Sequence, residues 1–385
     1  TMPRTSVIVP NFNHAPYLEQ RIQSILDQTD QDFELLLLDD ASTDDSVEVL
    51  ERFYDHPKVS TVEQNAKNTG NPFAQWNKGV SLAKGDFVWI AESDDFADRQ
   101  LLQRLTGLLA ANPAVGVAYS QSLAVDENSR TLHSLKNWTD DLDTERWAHD
   151  YTNAGPEECR HYLALKCTIP NASAAVFRRS VYDRAGGADE RFRLAGDWML
   201  WTKLLLVSDV AFSAQPLNYF RVHANTVRRA STRSAIALQE AFLIFEHIQD
   251  RIDVPAEVRA KAYDSFLDRW INELSKGRFD LSTKTLDRLG IINSFALQDF
   301  DFPAGVCQLV LVQHRAVHVM VAEGQDRLAV HAGAVHGEKA ADNVEVLVHG
   351  LAQIHAESAG MLVAGGTATV LAQAGDGIDG DILPV

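Results

Sequence analysis

The chain has 385 residues, more than one hydrophobic core usually gathers, so two or three domains are expected. Its 53 acidic and 35 basic side chains leave a net charge of −18, which argues against nucleic acid or an anionic membrane as the principal partner. No apolar run reaches the ~20 residues of a membrane span, and the start lacks the basic stretch and apolar core of a signal peptide.

The first 120 residues alternate between two periods. "SVIVP" (6–10) is a β-branched run ended by proline, and "HAPYLEQRIQSILDQT" then sets Leu18, Ile22, Ile25 and Leu26 on one helical stripe. "FELLLLDD" (33–40) is an unbroken apolar run, as expected of a strand buried on both faces of a parallel sheet. A helix in "DDSVEVLERFYD", a strand near "KVSTVE" and a helix near "NPFAQWNKGVSLAKG" follow. Then come the strand "DFVWIA", a helix over "FADRQLLQRLTGLLA" and the strand "VGVAYS". Such alternation predicts an open, mostly parallel α/β sheet flanked by helices, with ligands at the carboxyl ends of its strands. Between 121 and 190 the pattern loosens into polar stretches that fit either an acceptor cleft or an irregular surface loop. Order returns at "NASAAVFRRSVYDRAGG" and "RFRLAGDWMLWTKLLLVSDVAFS", and residues 232–295 read as helical. Residues 303–385 contain no Phe, Tyr or Trp yet hold six of the 13 histidines, without ligand spacing. There "QLVLVQHRAVHVMVAE" alternates as β strands do, so a small β-rich tail is expected, with no functional reading. Cys159, Cys167 and Cys307 lack paired metal-ligand spacing and read as packed free thiols of a reducing compartment.

Three strands end in side chains capable of chemistry: "PNFN" (10–13), "DDAS" (39–42) and "ESDD" (92–95). Any one acidic strand end is easily a helix cap. Closely spaced carboxylates are also what a hard divalent cation needs, and three polar ends on one sheet edge read as a site. A nucleotide-sugar reaction would use them, because a departing diphosphate must be neutralised and a bridging cation does so directly. The acceptor hydroxyl then needs a base, and "LAGDWMLW" places Asp197 just before an apolar helix, as base, N-cap or both. Trp198 and Trp201 beside it could stack on a sugar face or pack in the core.

The opening run "SVIVPNFNHAPYLEQRIQSILDQTDQDFELLLLDDASTDDS" resembles the start of family-2 glycosyltransferases of the GT-A fold. "KNTGNPFAQWNKGVSLAKGDFVWIAESDD" is similar to that family's next block, which ends in a DxD-type metal motif, "GDW" to its base segment and "YFRVH" to its late histidine segment. The four blocks run in the family's order over residues 4–228. The resemblance implies that Asp39 and Asp40 bind the nucleoside, that Pro10 and Asn13 line the base pocket, that Glu92 lies at the ribose or behind the metal ligands, and that Ser93 belongs to the nucleotide-sugar site. It implies Asp94 as the main ligand of Mn2+ or Mg2+, His223 as a further ligand of the metal or of the diphosphate, and Asp197 as the base of an inverting displacement. Two departures stand out: Glu92 opens the metal motif where the family often has Asp, and Gln75 and Trp76 occupy a segment where it often has Arg, so that either Lys78 supplies that charge or the donor pocket differs.

On this reading residues 1–228 form the catalytic domain, with a nucleotide-sugar half (1–120) and an acceptor half (121–228), followed by a helical extension (229–300) and the tail (301–385). The expected partners are a nucleotide-diphosphate sugar and a saccharide or lipid-linked saccharide acceptor, with no nucleic acid. By analogy with the family, the expected setting is the cytoplasm, free or peripherally associated with the inner membrane face, and the expected product a surface polysaccharide or other glycoconjugate. A sugar-phosphate nucleotidylyltransferase would want a glycine-rich basic loop after the first strand, which "PNFNHAPYL" lacks. A non-catalytic sugar-nucleotide-binding module would not need Asp197. Neither G-x-G-x-x-G after that strand nor G-x-x-x-x-G-K-[ST] is present.

Overall fold

A computed structural model describes residues 4–223, 235–275, 306–310, 317–322, 328–332, 369–372 and 382–384. Every residue of β1 (Thr5–Asn11) and β2 (Phe33–Asp39) is buried, which is why both read as apolar runs rather than alternating ones. Between them α1 (Ala15–Leu26) turns Leu18, Ile22 and Ile25 inward. α2 (Ser46–Glu51) is shorter than the apolar pattern through 55 suggests, and turns carry the chain to β3 (Val59–Gln64). α3 (Pro72–Leu82) starts at Asn71, whose side chain accepts from Phe73 N, with proline in the first helical position. Gly79 lets this helix press on the sheet: a Cβ there would lie 2.5 Å from Ile8 Cγ2.

β4 (Phe87–Ile90) leads into the acidic loop, and the helix expected from Phe96 begins later. Phe96–Ala97 form a short strand, β5, before α4 (Leu101–Ala111) and the long β6 (Val115–Val125). The loosened region carries β7 (Thr131–Ser134), β8 (Tyr151–Asn153) and the single turn α5 (Gly155–Glu158). Then come β9 (Ala175–Arg178), α6 (Arg179–Ala185), α7 (Gly196–Leu205) and β10 (Asp209–Arg221).

The strands pair in the order β3-β2-β1-β4-β9-β6-β10-β5, with β7 on β6 and β8 on β10. β9 runs against both β4 and β6, so β1, β2, β3, β4, β6 and β10 all point one way. This is the expected mostly parallel α/β sheet with helices around it, and its core is Val7, Leu35, Leu37, Trp89 and their neighbours.

The chain divides into two compact units, 1–232 with 240–258, and 233–239 with 259–385. α8 (Ala235–Gln249) and α9 (Ala256–Ser275) bear out the helical reading as far as Ser275; residues 276–295 lie outside those described. In the second unit β11 (Val306–Val310), β12 (Val317–Ala322), β13 (Leu328–Ala332), β14 (Thr369–Ala372) and β15 (Ile382–Pro384) pair in that order. β11 and β12 are antiparallel, in keeping with the alternation of that segment. No helix among the described residues is long and apolar enough to cross a membrane.

Candidate active site

The register of β1 on β2 sets Asn11 beside Asp39 at the carboxyl edge. Asn11 Nδ2 donates to Asp39 Oδ1 at 2.8 Å, and Ser42 donates to the same carboxylate from N (2.9 Å) and Oγ (2.6 Å). The turn between them needs Ala41 in the left-handed region (φ 58°). Asn13 is left-handed as well (φ 56°), and its Oδ1 accepts from Thr43 N at 2.7 Å. Pro10 is buried inside β1, one residue before the edge. Asp40 is a hub: it accepts from Asn65 Nδ2 (2.7 Å), Thr69 N (3.0 Å), Thr69 Oγ1 (2.7 Å) and Gln75 Nε2 (3.0 Å). Lys78 stands behind this hub, donating to Asn65 Oδ1 at 2.8 Å and pairing with Glu63 at 3.1 Å. Neither Asp39 nor Asp40 caps α2. The N-cap position of α2 is Asp45, and the neighbouring Asp44 accepts from Ser46 N at 3.0 Å and from Ala15 N at 2.9 Å.

The acidic loop after β4 is held from every side. Ser173 Oγ accepts from Glu92 N at 3.0 Å, Arg21 Nε donates to Glu92 O at 2.8 Å, and Trp76 Nε1 donates to Glu92 Oε1 at 2.8 Å. Ser93 Oγ lies 2.8 Å from His14 Nδ1, and Asp94 Oδ2 lies 3.0 Å from His223 Nε2. Asp95 accepts from Arg221 N (2.9 Å) and Asn171 Nδ2 (3.2 Å). Burial and the field of Asp94 push the Glu92 carboxyl up to about 8, and the same two causes raise Asp95 to about 6. Burial also opposes the ionised form of Asp94, but the His223 bond and the field of His14 hold it below the usual carboxylate range. Burial lowers His14, favouring the neutral imidazole.

One ligand atom from each of His14, Asp94 and His223 lies within 4.8 Å of the other two. Two donors each about 2.1 Å from a cation stand no more than about 4.2 Å apart, so small side-chain adjustments would close this set. The donor chemistry, a carboxylate that stays ionised beside imidazole nitrogens, fits a divalent cation.

Sequence reading singled out neither His14 nor Arg221. The Arg221 guanidinium is fully buried and donates to Asp94 O (2.7 Å), Asp126 O (2.9 Å) and Gln20 Oε1 (2.7 Å). It therefore fastens the end of β10, and with it His223, to the acidic loop. The available signal was position: His14 follows the first strand end and Arg221 precedes His223 by two residues.

Asp197 lies in the first turn of α7, half-buried, with Oδ1 accepting from Trp198 N at 2.8 Å. The segment before it runs along α3, where Asn71 Nδ2 donates to Glu190 O at 2.6 Å and Asn77 Nδ2 to Ala188 O at 3.0 Å. Gly196 is required here, because a Cβ would come within 2.3 Å of the Phe73 ring. Phe73 meets Trp76 edge-on at 5.1 Å, and Trp76 holds Glu92, so a run of contacts links the Asp197 turn to the acidic loop. Glu240 of α8 accepts from the N–H groups of Arg193 (2.7 Å), Leu194 (2.9 Å) and Ala195 (2.7 Å), fixing the turn from its other side. Trp198 and Trp201 are buried, with Trp198 Nε1 donating to Leu163 O at 3.0 Å, so both pack in the core and neither offers a face to a sugar.

The fold is that of glycosyltransferases of the GT-A type. Residues 6–186 match the profile of Glycosyl transferase family 2. An uncharacterized glycosyltransferase of Nostoc sp. is 27% identical over 246 residues, covering 62% of this chain and 70% of the relative. One of Haemophilus influenzae is 37% identical over 114 residues, covering 30% and 45%, and chondroitin synthase of Escherichia coli is 27% identical over 138 residues, covering 36% and 20%. The chain thus spans under half the length of the latter two. Among solved structures, residues 1–349 of TarS from S. aureus in complex with UDP-GlcNAc superpose with a TM-score of 0.55 at 18% identity, covering 76% of this chain and 80% of that one. That likeness is one of fold.

Proposed function

We propose that this glycosyltransferase is metal-dependent and inverting, and moves a sugar from a nucleotide diphosphate to a hydroxyl of a saccharide or lipid-linked saccharide. The observation that supports this best is the gathering of Asp39, Asp40 and Asp94 at the carboxyl ends of β2 and β4, the parallel strands on either side of β1, with His223 bonded to Asp94. Asp40 and Asp39 shape the nucleoside pocket with Pro10 and Asn13, and Lys78 supports it through Asn65. All four donors around Asp40 are protein groups, so a base N–H reaching that carboxylate displaces one of them. Glu92 and Ser93 line the ribose side. Asp94 and His223 would hold a divalent cation, Mn2+ or Mg2+, which when bound offsets the charge of the departing diphosphate. Asp197 takes the proton of the acceptor hydroxyl as that oxygen attacks the anomeric carbon from the face opposite the diphosphate. The likeness to chondroitin synthase supports work on a polysaccharide or other glycoconjugate.

The test begins with thermal-shift titrations of UDP-, GDP- and dTDP-sugars with and without Mn2+; a donor at a hundred times its dissociation constant stabilises by about 2.7 kcal/mol. Asp94→Asn should lose metal-dependent donor binding and transfer. Asp98→Asn should keep both, because the Asp98 carboxylate accepts from Gln100 N at 2.9 Å, and an Asn oxygen can replace it there. Full transfer in excess chelator would overturn the metal role, and donor binding without turnover would mark a binding module.

A further inference from the structure

The loop between β1 and α1 brings an imidazole to the acidic loop that the donor pocket does not use. His14 stands immediately before α1, yet its side chain caps nothing there. The first turn takes its main-chain oxygen, which accepts from Tyr17 N at 2.9 Å and Leu18 N at 3.1 Å, while Ala15 N goes to Asp44. The ring instead turns across to β4's loop, where Nδ1 meets Ser93 Oγ at 2.8 Å. Its ring centre lies 5.5 Å from that of His223, nearly perpendicular to it.

We propose that His14 is a third protein ligand of the cation, completing a His–Asp–His centre that prefers first-row transition ions such as Mn2+ to Mg2+. The inference rests on the reading of Asp94 and His223 as cation ligands and adds the third donor and the selectivity. The mutual approach within 4.8 Å supplies the geometry. The Ser93 bond supplies the orientation: a ligating histidine usually engages its second nitrogen with a fixed partner, which sets the ring and the tautomer. With Nδ1 held by Ser93, Nε2 is the nitrogen left to face the cation. The selectivity follows from the donor set, because Mg2+ is held through oxygen and sheds water reluctantly, whereas first-row ions accept imidazole nitrogen.

The competing account is that His14 is only part of an aromatic cluster with Tyr17 and His223. His14→Phe keeps a ring for that cluster and removes the donor; His14→Ala removes both. Mn2+ and Mg2+ alone would be titrated into the full chain by calorimetry, and bound Mn2+ examined by electron spin-echo modulation, which reports directly coordinated 14N. Circular dichroism in chelator checks that each variant is folded. Wild type should bind Mn2+ more tightly than Mg2+ and show two imidazole nitrogens. Both variants should lose at least the roughly 10–100-fold of Mn2+ affinity that removing even an outer-shell partner costs, show one nitrogen, and retain their Mg2+ affinity. A folded His14→Phe chain with wild-type Mn2+ affinity and an unchanged nitrogen signal would overturn the proposal while leaving Asp94 and His223 in place. Wild-type Mn2+ binding in Asp94→Asn would instead overturn the whole cation site, His14 included.

Discussion

Asp197 lies in the first turn of a helix, where the helix dipole favours the ionised form that a general base has to present. Asp197→Asn keeps the size and an acceptor oxygen but removes the basicity. Turnover should fall by roughly 10²–10⁴-fold, while donor and Mn2+ affinity, measured on the same sample, stay as in wild type. Turnover near wild type would place the base elsewhere, and a drop in melting temperature without a specific loss of turnover would make Asp197 a cap only. Much of the site could be read one residue at a time, since Asp39, Asp40 and Asp94 stand at the ends of runs that are unmistakably strands. His14 and Arg221 could not. Whether an imidazole before a helix reaches the fourth strand's loop depends on how two loops seventy-odd residues apart are laid side by side, and no local pattern encodes that. Arg221 reads as an ordinary cation at a strand end until the carbonyls of Asp94 and Asp126 are found around it.

At the scale of elements, α7 depends on α8. Glu240→Ala removes the carboxylate that serves Arg193, Leu194 and Ala195 and leaves their N–H groups without that acceptor. Charge-assisted bonds of this kind contribute about 1.5–3 kcal/mol each before mutual overlap, so denaturant unfolding should show a loss of about 3 kcal/mol. Turnover should fall with it, because the turn carrying Asp197 loosens, whereas Mn2+ binding should not change. α8 also carries a pH response. His247 sits near its end, where a cation is ordinarily welcome, yet burial and the charges of Arg251 and Lys203 lower it to about 4. A folded value below the unfolded one means stability that is present above pH 6.5 and drains away as pH falls towards 4. His247→Gln should flatten that acid-side loss in a series of melting temperatures; an identical slope would show that carboxylates elsewhere carry it. The elements themselves were largely legible, because both-face burial and helical stripes are local signals. β5 was not: Phe96 and Ala97 read as helix and became strand by pairing with Tyr219 and Asn218, far along the chain. α2 stopped early because its apolar residues past Glu51 are spent in turns rather than in another helical face.

Across the whole molecule, every residue assigned to the site lies in the first compact unit, which takes in 240–258 as well as the sheet. A chain ending at residue 300 should therefore fold, bind donor and transfer, and insolubility or loss of transfer would show that the aromatic-free tail is needed. A chain ending at 228, the boundary drawn from the resemblance, should do worse, because it lacks Glu240. The same contact sets an order of assembly. Domains close as they leave the ribosome, N-terminal parts first, and the strands bearing Asp39, Asp40 and Asp94 emerge early. The turn before Asp197 keeps bare N–H groups until α8 has been synthesised. On the proposed reading the donor half is complete once His223 has emerged, shortly before Glu240 fixes the other half, and a nascent chain exposed only up to that point would bind a donor without an efficient means of passing on its sugar.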